Sequence, residues 1–271
     1  MSSSDVTTPP RRRSSLLVRL LGFPATLIHG DTLVRDRWNW LRARLPVTRN
    51  GELVLDVGCG SGAFSIGAAR RGYRCLGLSW DAENQEIARE RASMCRAPGA
   101  DFEIQDVRFL DRRPDLVGRF DVVLCLENIE HILDDRKLVA DIAACLRPGG
   151  RLLLTTPNLM YRPFTEEYKG PFEEIEDGRH VRKGYSPEML RELCELAGLR
   201  VQAIGYCSGF ASQKITGLMR AASGISPAMA WLLVLPLRLV PPVVDPLISW
   251  VTGWPGFSIT LEAYRPRFGH R

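Results

Sequence analysis

Three clusters in this 271-residue chain have residue types and spacing suited to chemistry. The first is Leu55-Asp56-Val57-Gly58-Cys59-Gly60-Ser61-Gly62, an apolar run that ends in an acid and three alternating glycines. Such a turn between a strand and a helix lets the backbone approach an anion, and the helix start adds N–H groups and a positive dipole end. Gly58, Gly60 and Ala63 also satisfy the dinucleotide pattern G-x-G-x-x-G/A, with Asp81 about where a ribose-binding acid belongs. The second cluster is Glu127-Asn128-Ile129-Glu130-His131, whose imidazole titrates in the range useful to a general base. The third is Gly178-Arg179-His180-Val181-Arg182-Lys183-Gly184-Tyr185, a polar loop from which His180 and Tyr185 could reach a bound substrate.

The elements that must position these clusters alternate along the chain. Apolar runs at 53–57, 73–78, 101–105, 120–126 and 151–155 read as strands. Helical patterns at 63–71, 82–96 and 137–146 separate them. That order predicts a parallel sheet covered on both faces, with ligands beyond the carboxyl ends of the strands, where Asp56, Ser79, Asp106 and Glu127 fall. Ser186-Pro187 opens a further helix that Gly198 ends, and 199–206 and 257–264 read as closing strands. Residues 1–15 are too polar to fold, and 16–45 suits two short amphipathic helices broken near Gly22-Phe23-Pro24. An apolar insertion occupies 208–254. Its prolines, with Arg238 and Asp245, argue against the run of about 20 apolar residues that a membrane-spanning helix needs.

Composition bounds the function. The formal charge of +5 is modest, and the excess arginines between Arg11 and Arg49 lack the aromatic interleaving and module of a nucleic-acid binder. The seven cysteines are scattered singly, which fits reduced thiols in a cytoplasmic protein. No carboxylate spacing suggests a catechol-type metal site, so no metal is expected.

Asp56, the Gly58/Gly60/Gly62 spacing, Gln105-Asp106 after the third strand and Leu146-Arg-Pro-Gly-Gly150 before the fifth occur together and in order. In this the chain resembles the class I S-adenosylmethionine-dependent methyltransferases, over about 51–158 and more weakly through Gly198. The resemblance implies an α/β fold: a Rossmann-like seven-stranded sheet with helices on both faces. Around the 51–160 cofactor core it sets an N-terminal helical lid at 16–50, a substrate lid at 161–185 and the apolar insertion before the last strand, with 186–207 and 255–265 completing the core. It further implies S-adenosyl-L-methionine as cofactor, with its methionine end over Gly58, Cys59, Gly60 and Gly62 and its ammonium near Asp56. Asp106 would accept from the adenine amino group, Val107 would line the ring, and Glu127 would touch cofactor and acceptor. Most relatives carry a ribose-binding acid after the second strand, where this chain has Ser79. The cyclopropane-synthase-like branch of the family has a similar turn followed by a glutamine, which makes Ser79, Trp80 and Gln85 the ribose candidates and Asp81 a helix N-cap.

The chemistry such a site performs is in-line displacement at a methyl carbon, in which positioning supplies most of the rate. A base is needed only when the acceptor must lose a proton, and His131, Glu127, His180 and Tyr185 are the catalytic candidates. Trp38, Trp40, Tyr161, Phe164, Tyr168, Phe172, Phe210 and Trp231 would line a pocket for a partly hydrophobic small-molecule acceptor, lipid-, quinone- or secondary-metabolite-like, methylated at oxygen. Trp231, Trp250 and Trp254, with Arg220 and Arg238 nearby, suggest a peripheral membrane contact through 226–254. The competing readings are an NAD(P)-dependent oxidoreductase and a non-catalytic S-adenosylmethionine-binding protein.

Overall fold

A computed structural model describes residues 14–28, 32–164 and 169–267; of the unfolded tail expected over 1–15, residues 1–13 lie outside the described residues, while Ser14 and Ser15 open the first helix. The polypeptide begins with α1 (Ser14–Leu21), α2 (Phe23–Ile28) and α3 (Thr32–Arg44), three helices where the sequence suggested two. Gly22 adopts a positive φ of 65° between the first two. The alternating region follows in order as β1 (Leu53–Val57), α4 (Ala63–Ala69), β2 (Arg74–Ser79), α5 (Ala82–Met94), β3 (Ala100–Ile104), β4 (Phe120–Leu126), α6 (Asp135–Cys145) and β5 (Leu146–Pro157). Then come α7 (Pro187–Leu196), β6 (Arg200–Cys207), three helices of the insertion, α8 (Phe210–Ser223), α9 (Pro227–Val234) and α10 (Pro241–Thr252), and finally β7 (Ser258–Tyr264).

The strands form one seven-stranded sheet in the order β3-β2-β1-β4-β5-β7-β6. β7 runs antiparallel between β5 and β6, and the other neighbouring pairs are parallel. The central strands read as continuous apolar runs because both faces are buried. Alternate residues of β1 go to opposite cores. Leu55 and Val57 join Val123, Ile142, Leu152 and Leu261 beneath α6 and α7. Val54 joins Leu124, Leu153, Trp38 and Leu41 on the α3 side.

Helix starts follow the local chemistry. Asp81 caps α5 by accepting from Asn84 N, Asp134 caps α6 through Lys137 N, and Ser186 caps α7 with Pro187 in its first turn. No described helix is long and apolar enough to cross a membrane.

Candidate active site

The chain turns sharply at the carboxyl end of β1. Gly58, Gly60 and Gly62 take φ values of 82°, 50° and 77°, in the left-handed region that L side chains rarely adopt. Gly58 is required by close approach as well, since a Cβ there would sit 2.3 Å from the Asn128 side chain. At Gly60 the same construction meets nothing within 4 Å, so the backbone presents an open cradle. The turn is pinned from below, because Gly58 N and Cys59 N both donate to Leu78 O, at 3.0 and 2.9 Å.

A cavity of about 550 Å³ opens over this turn. Gly58, Gly60, Ser79, Trp80, Asp106, Val107, Glu127 and His131 all contribute to its wall. Four strand ends therefore converge on one space, as the alternating pattern requires.

Glu127 follows β4 in a left-handed conformation, φ 50°, and its Oε2 lies 2.8 Å from Arg37 NH2. The same guanidinium reaches Ser258 Oγ at 3.4 Å. Glu127 Oε1 and Asn128 Nδ2 are buried polar atoms with no hydrogen-bond partner, which marks this wall as built for a bound group.

At the opposite wall Arg108 donates from Nε to both carboxylate oxygens of Asp106, at 2.9 and 3.0 Å. Those hydrogen bonds hold the Asp106 carboxyl below its usual range. Arg108 NH1 also donates to Glu176 Oε2 at 2.8 Å, while Glu176 Oε1 accepts from Leu133 N at 2.7 Å. The 176–179 stretch thus lies against the cavity, contributing Glu176, Asp177, Gly178 and Arg179 to its wall.

Glycine cradle, orphaned wall atoms and the 176–179 stretch together fit a cofactor with an extended polar end. A family profile described as a methyltransferase domain matches residues 33–204. The chain belongs to the methyltransferase-domain family. The domain is of the class I, S-adenosylmethionine-dependent kind. Among curated relatives, a ubiquinone biosynthesis O-methyltransferase of Coxiella burnetii is 28% identical over 159 residues, covering 57% of this chain and 66% of that protein. Its counterpart in Aeromonas salmonicida is 30% identical over 156 residues, covering 56% and 64%. The methyltransferase thus spans just under two thirds of the length of these relatives.

Solved structures agree on the fold. The [4+2]-cyclase SpnF superposes with a TM-score of 0.59 at 21% identity, over 86% of this chain and 81% of its own. The Haemonchus contortus phosphoethanolamine N-methyltransferase 2, in complex with S-adenosyl-L-methionine, gives 0.59 at 18%, over 95% and 61%. The oxidoreductase and non-catalytic alternatives gain no support from these comparisons.

Several predicted residues of this methyltransferase lie off the cavity. Asp56 is buried beneath the turn, where Ser65 Oγ donates to it at 2.6 Å and burial raises its carboxyl to about 6. Gln85 and Cys59 meet each other below the turn, Nε2 to Sγ at 3.3 Å, and burial pushes the thiol far up, away from nucleophilic character. Gly62 backs onto Phe102 and Ala88. Tyr185 belongs to the core, its hydroxyl 2.8 Å from Asp135 Oδ2, so the structure points it away from the cavity.

The aromatic residues expected in one acceptor pocket separate into packing clusters. Trp38 packs on Phe23, Tyr161 and Phe164 pack on Phe257, and Phe210 packs on Trp254. Tyr168 and the Trp231 side chain lie outside the described residues. His180 reaches His131 instead, with ring centroids 4.7 Å apart and planes at 86°. Sequence reasoning did not single out Arg37, Asn128, Arg108 or Glu176. Arg37 and Glu176 meet their partners, Glu127 and Arg108, only through distant returns of the chain.

Proposed function

We propose that this methyltransferase transfers the cofactor's methyl group to a hydroxyl of a partly hydrophobic, quinone-like acceptor. The observation that carries the reading is the convergence of the glycine cradle, Asp106, Glu127 and His131 on one cavity. Kinship with ubiquinone biosynthesis O-methyltransferases supports the acceptor class.

In this reading Gly58 and Gly60 admit the methionine end, and Ser79 and Trp80 face the ribose. Asp106 and Val107 take the adenine edge, with Asp56 acting from below the turn. The cofactor, when bound, supplies an electrophilic methyl on a positively charged sulfur. Glu127, oriented by Arg37, holds the acceptor side of the cavity. His131 receives the proton that the acceptor hydroxyl loses as its oxygen bonds to the methyl carbon. His131 lines the wall directly, which makes it the stronger base candidate.

A second cavity of about 770 Å³ beside the ends of β5 and β6 supplies room for a hydrophobic acceptor. Met160, Tyr206, Pro241, Pro246 and Trp254 give it apolar walls, and Asp36, Asn158 and Asp245 give it polar ones.

The insertion adds a membrane contact to the proposal. Val243, Leu247, Trp250 and Val251 of α10 are 78%, 63%, 82% and 67% exposed, an i, i+4, i+7, i+8 stripe facing outward. Arg238 takes no part in this contact because it is buried and donates to Met219 Sδ at 2.9 Å, and Trp254 meets Phe210 edge to face.

A labelled-methyl screen over ortho-dihydroxy aromatics of increasing tail length tests the acceptor reading. O-methylated product that rises with tail length is expected. Transfer only to small polar acceptors or to protein would overturn it.

A further inference from the structure

We propose that Glu130, His131 and His180 form a binding site for a divalent transition-metal ion of the zinc or cobalt kind at the edge of the cofactor cavity. Each offers one ligand atom, and the three atoms lie within 4.8 Å of one another. The inference deepens the reading of the cavity as a hydroxyl-methylating site and rests on it only for what the ion would do there: with an ion bound, His131 is a ligand in place of the base, and the proton of the hydroxyl held at the ion leaves to solvent.

The cluster is pre-assembled. Glu130 and His131 sit in the short 3-10 turn Ile129–His131 after β4, and His180 follows the 176–179 stretch. Val181 N donates to Glu130 O at 3.0 Å, which fixes the spacing between the two segments. Glu130 is wholly buried. Its Oε2 accepts from Thr156 Oγ1 at 3.0 Å, while Oε1 has no hydrogen-bond partner, and neither does the buried Nδ1 of His131. A buried carboxylate with one idle oxygen is expensive unless a cation or donor completes it. Thr156 orients the carboxylate as outer-shell partners of metal ligands do.

Two imidazoles and one carboxylate suit zinc, iron or cobalt rather than magnesium, and leave coordination positions open. His131 forms part of the cavity wall, so an ion held by these three residues would lie beside the space where an acceptor oxygen would bind. The ligand class is an oxygen donor, above all a vicinal pair of hydroxyls, whose acidity a bound cation raises. No carboxylate spacing signals this site, because its third ligand lies about fifty residues downstream.

The test uses the full chain, stripped with a chelator and dialysed. Co²⁺ alone is titrated in and followed by visible absorption, with calorimetry of Zn²⁺ in parallel. One ion per chain is expected, with affinity at least about tenfold weaker in Glu130→Gln and in His180→Gln. Binding of S-adenosylhomocysteine, measured separately, checks that each variant is folded, and its loss in the unmodified chain would indict the cofactor reading rather than the metal. Failure of the unmodified chain to take up an equivalent of either ion overturns the proposal. So does uptake unchanged in both variants, or thiolate-to-cobalt bands that place the ion on cysteine.

Discussion

Arg37 of α3 meets Glu127, ninety residues later in the chain, across 2.8 Å, and Glu127 lines the cavity over the glycine turn. Both side chains are largely withdrawn from water, at 9% and 15% exposure. The carboxylate follows a central strand in a left-handed backbone conformation, and the guanidinium is also shared with Ser258 of β7. One ion pair therefore ties the N-terminal helices, the sheet centre and its final strand together at the point where chemistry is proposed.

Replacing Arg37 by Ala leaves Glu127 desolvated and without its countercharge. Truncating one member of such a pair costs about 3 kcal/mol. Urea unfolding should show that loss, and methyl transfer should fall more steeply than cofactor affinity, because the acceptor side of the cavity is the side disturbed. A variant with undiminished stability would mean that Glu127 relaxes into solvent.

Asp56 supplies a pH prediction. Its carboxyl titrates near 6 in the folded chain against an ordinary value of 3.8, so the folded state holds the proton more tightly than the unfolded state. Stability contributed by this group is therefore lost as pH rises from about 4 through 6, by about 3 kcal/mol in all. Asp56→Asn keeps an acceptor for Ser65 and should be more stable than the parent by about 2–3 kcal/mol at pH 8 and nearly equal to it at pH 4. Comparing the two proteins cancels the opposite contribution of His180, whose depressed value favours the folded state as pH rises. Calorimetric affinity for S-adenosylhomocysteine should drop in the same variant, an exchange of stability for function. A stability difference independent of pH would refute the assignment.

Glu176 joins Arg108 to the backbone at Leu133, so Glu176→Ala should release the 176–179 stretch from the cavity. The groups are partly exposed, so the loss is on the order of 1 kcal/mol, or about fivefold in affinity. Stopped-flow displacement should place most of it in faster dissociation of S-adenosylhomocysteine. A change confined to the association rate would speak against a closing role.

The outward stripe of α10 predicts that the protein floats with liposomes. Val243→Asp with Trp250→Asp should abolish flotation and leave transfer to a short-tailed acceptor unchanged. Equal flotation of parent and variant would remove α10 from the contact.

Much of the architecture is legible in the sequence because doubly buried strands are written as apolar runs and because the glycines, caps and prolines mark their own boundaries. β1 and β4 match the runs at 53–57 and 120–126 residue for residue. The antiparallel placement of β7 carries no such mark, since the exchange of neighbours is decided by packing across the sheet. The site divides in the same way. Glycine turn, Asp106 and Glu127 announce themselves through strand ends, whereas Arg37 with Glu127 and His131 with His180 are pairs made by chain return. Trp38, Tyr161 and Phe210 show the converse error. Their shared aromatic character suggests one pocket, but each is claimed by a different neighbour.

The position of β7 sets an order on biosynthesis. Among the described strands β6 pairs with β7 alone, which follows about fifty residues later, after the apolar helices of the insertion. While the ribosome is still making α8 to α10, the edges of β5 and β6 that β7 will fill stand open, beside a nascent stretch rich in leucine and valine. The sheet closes, and Ser258 reaches Arg37, only when that strand slots between two already translated neighbours. A chain stalled or truncated before β7 therefore leaves two strand edges unpaired.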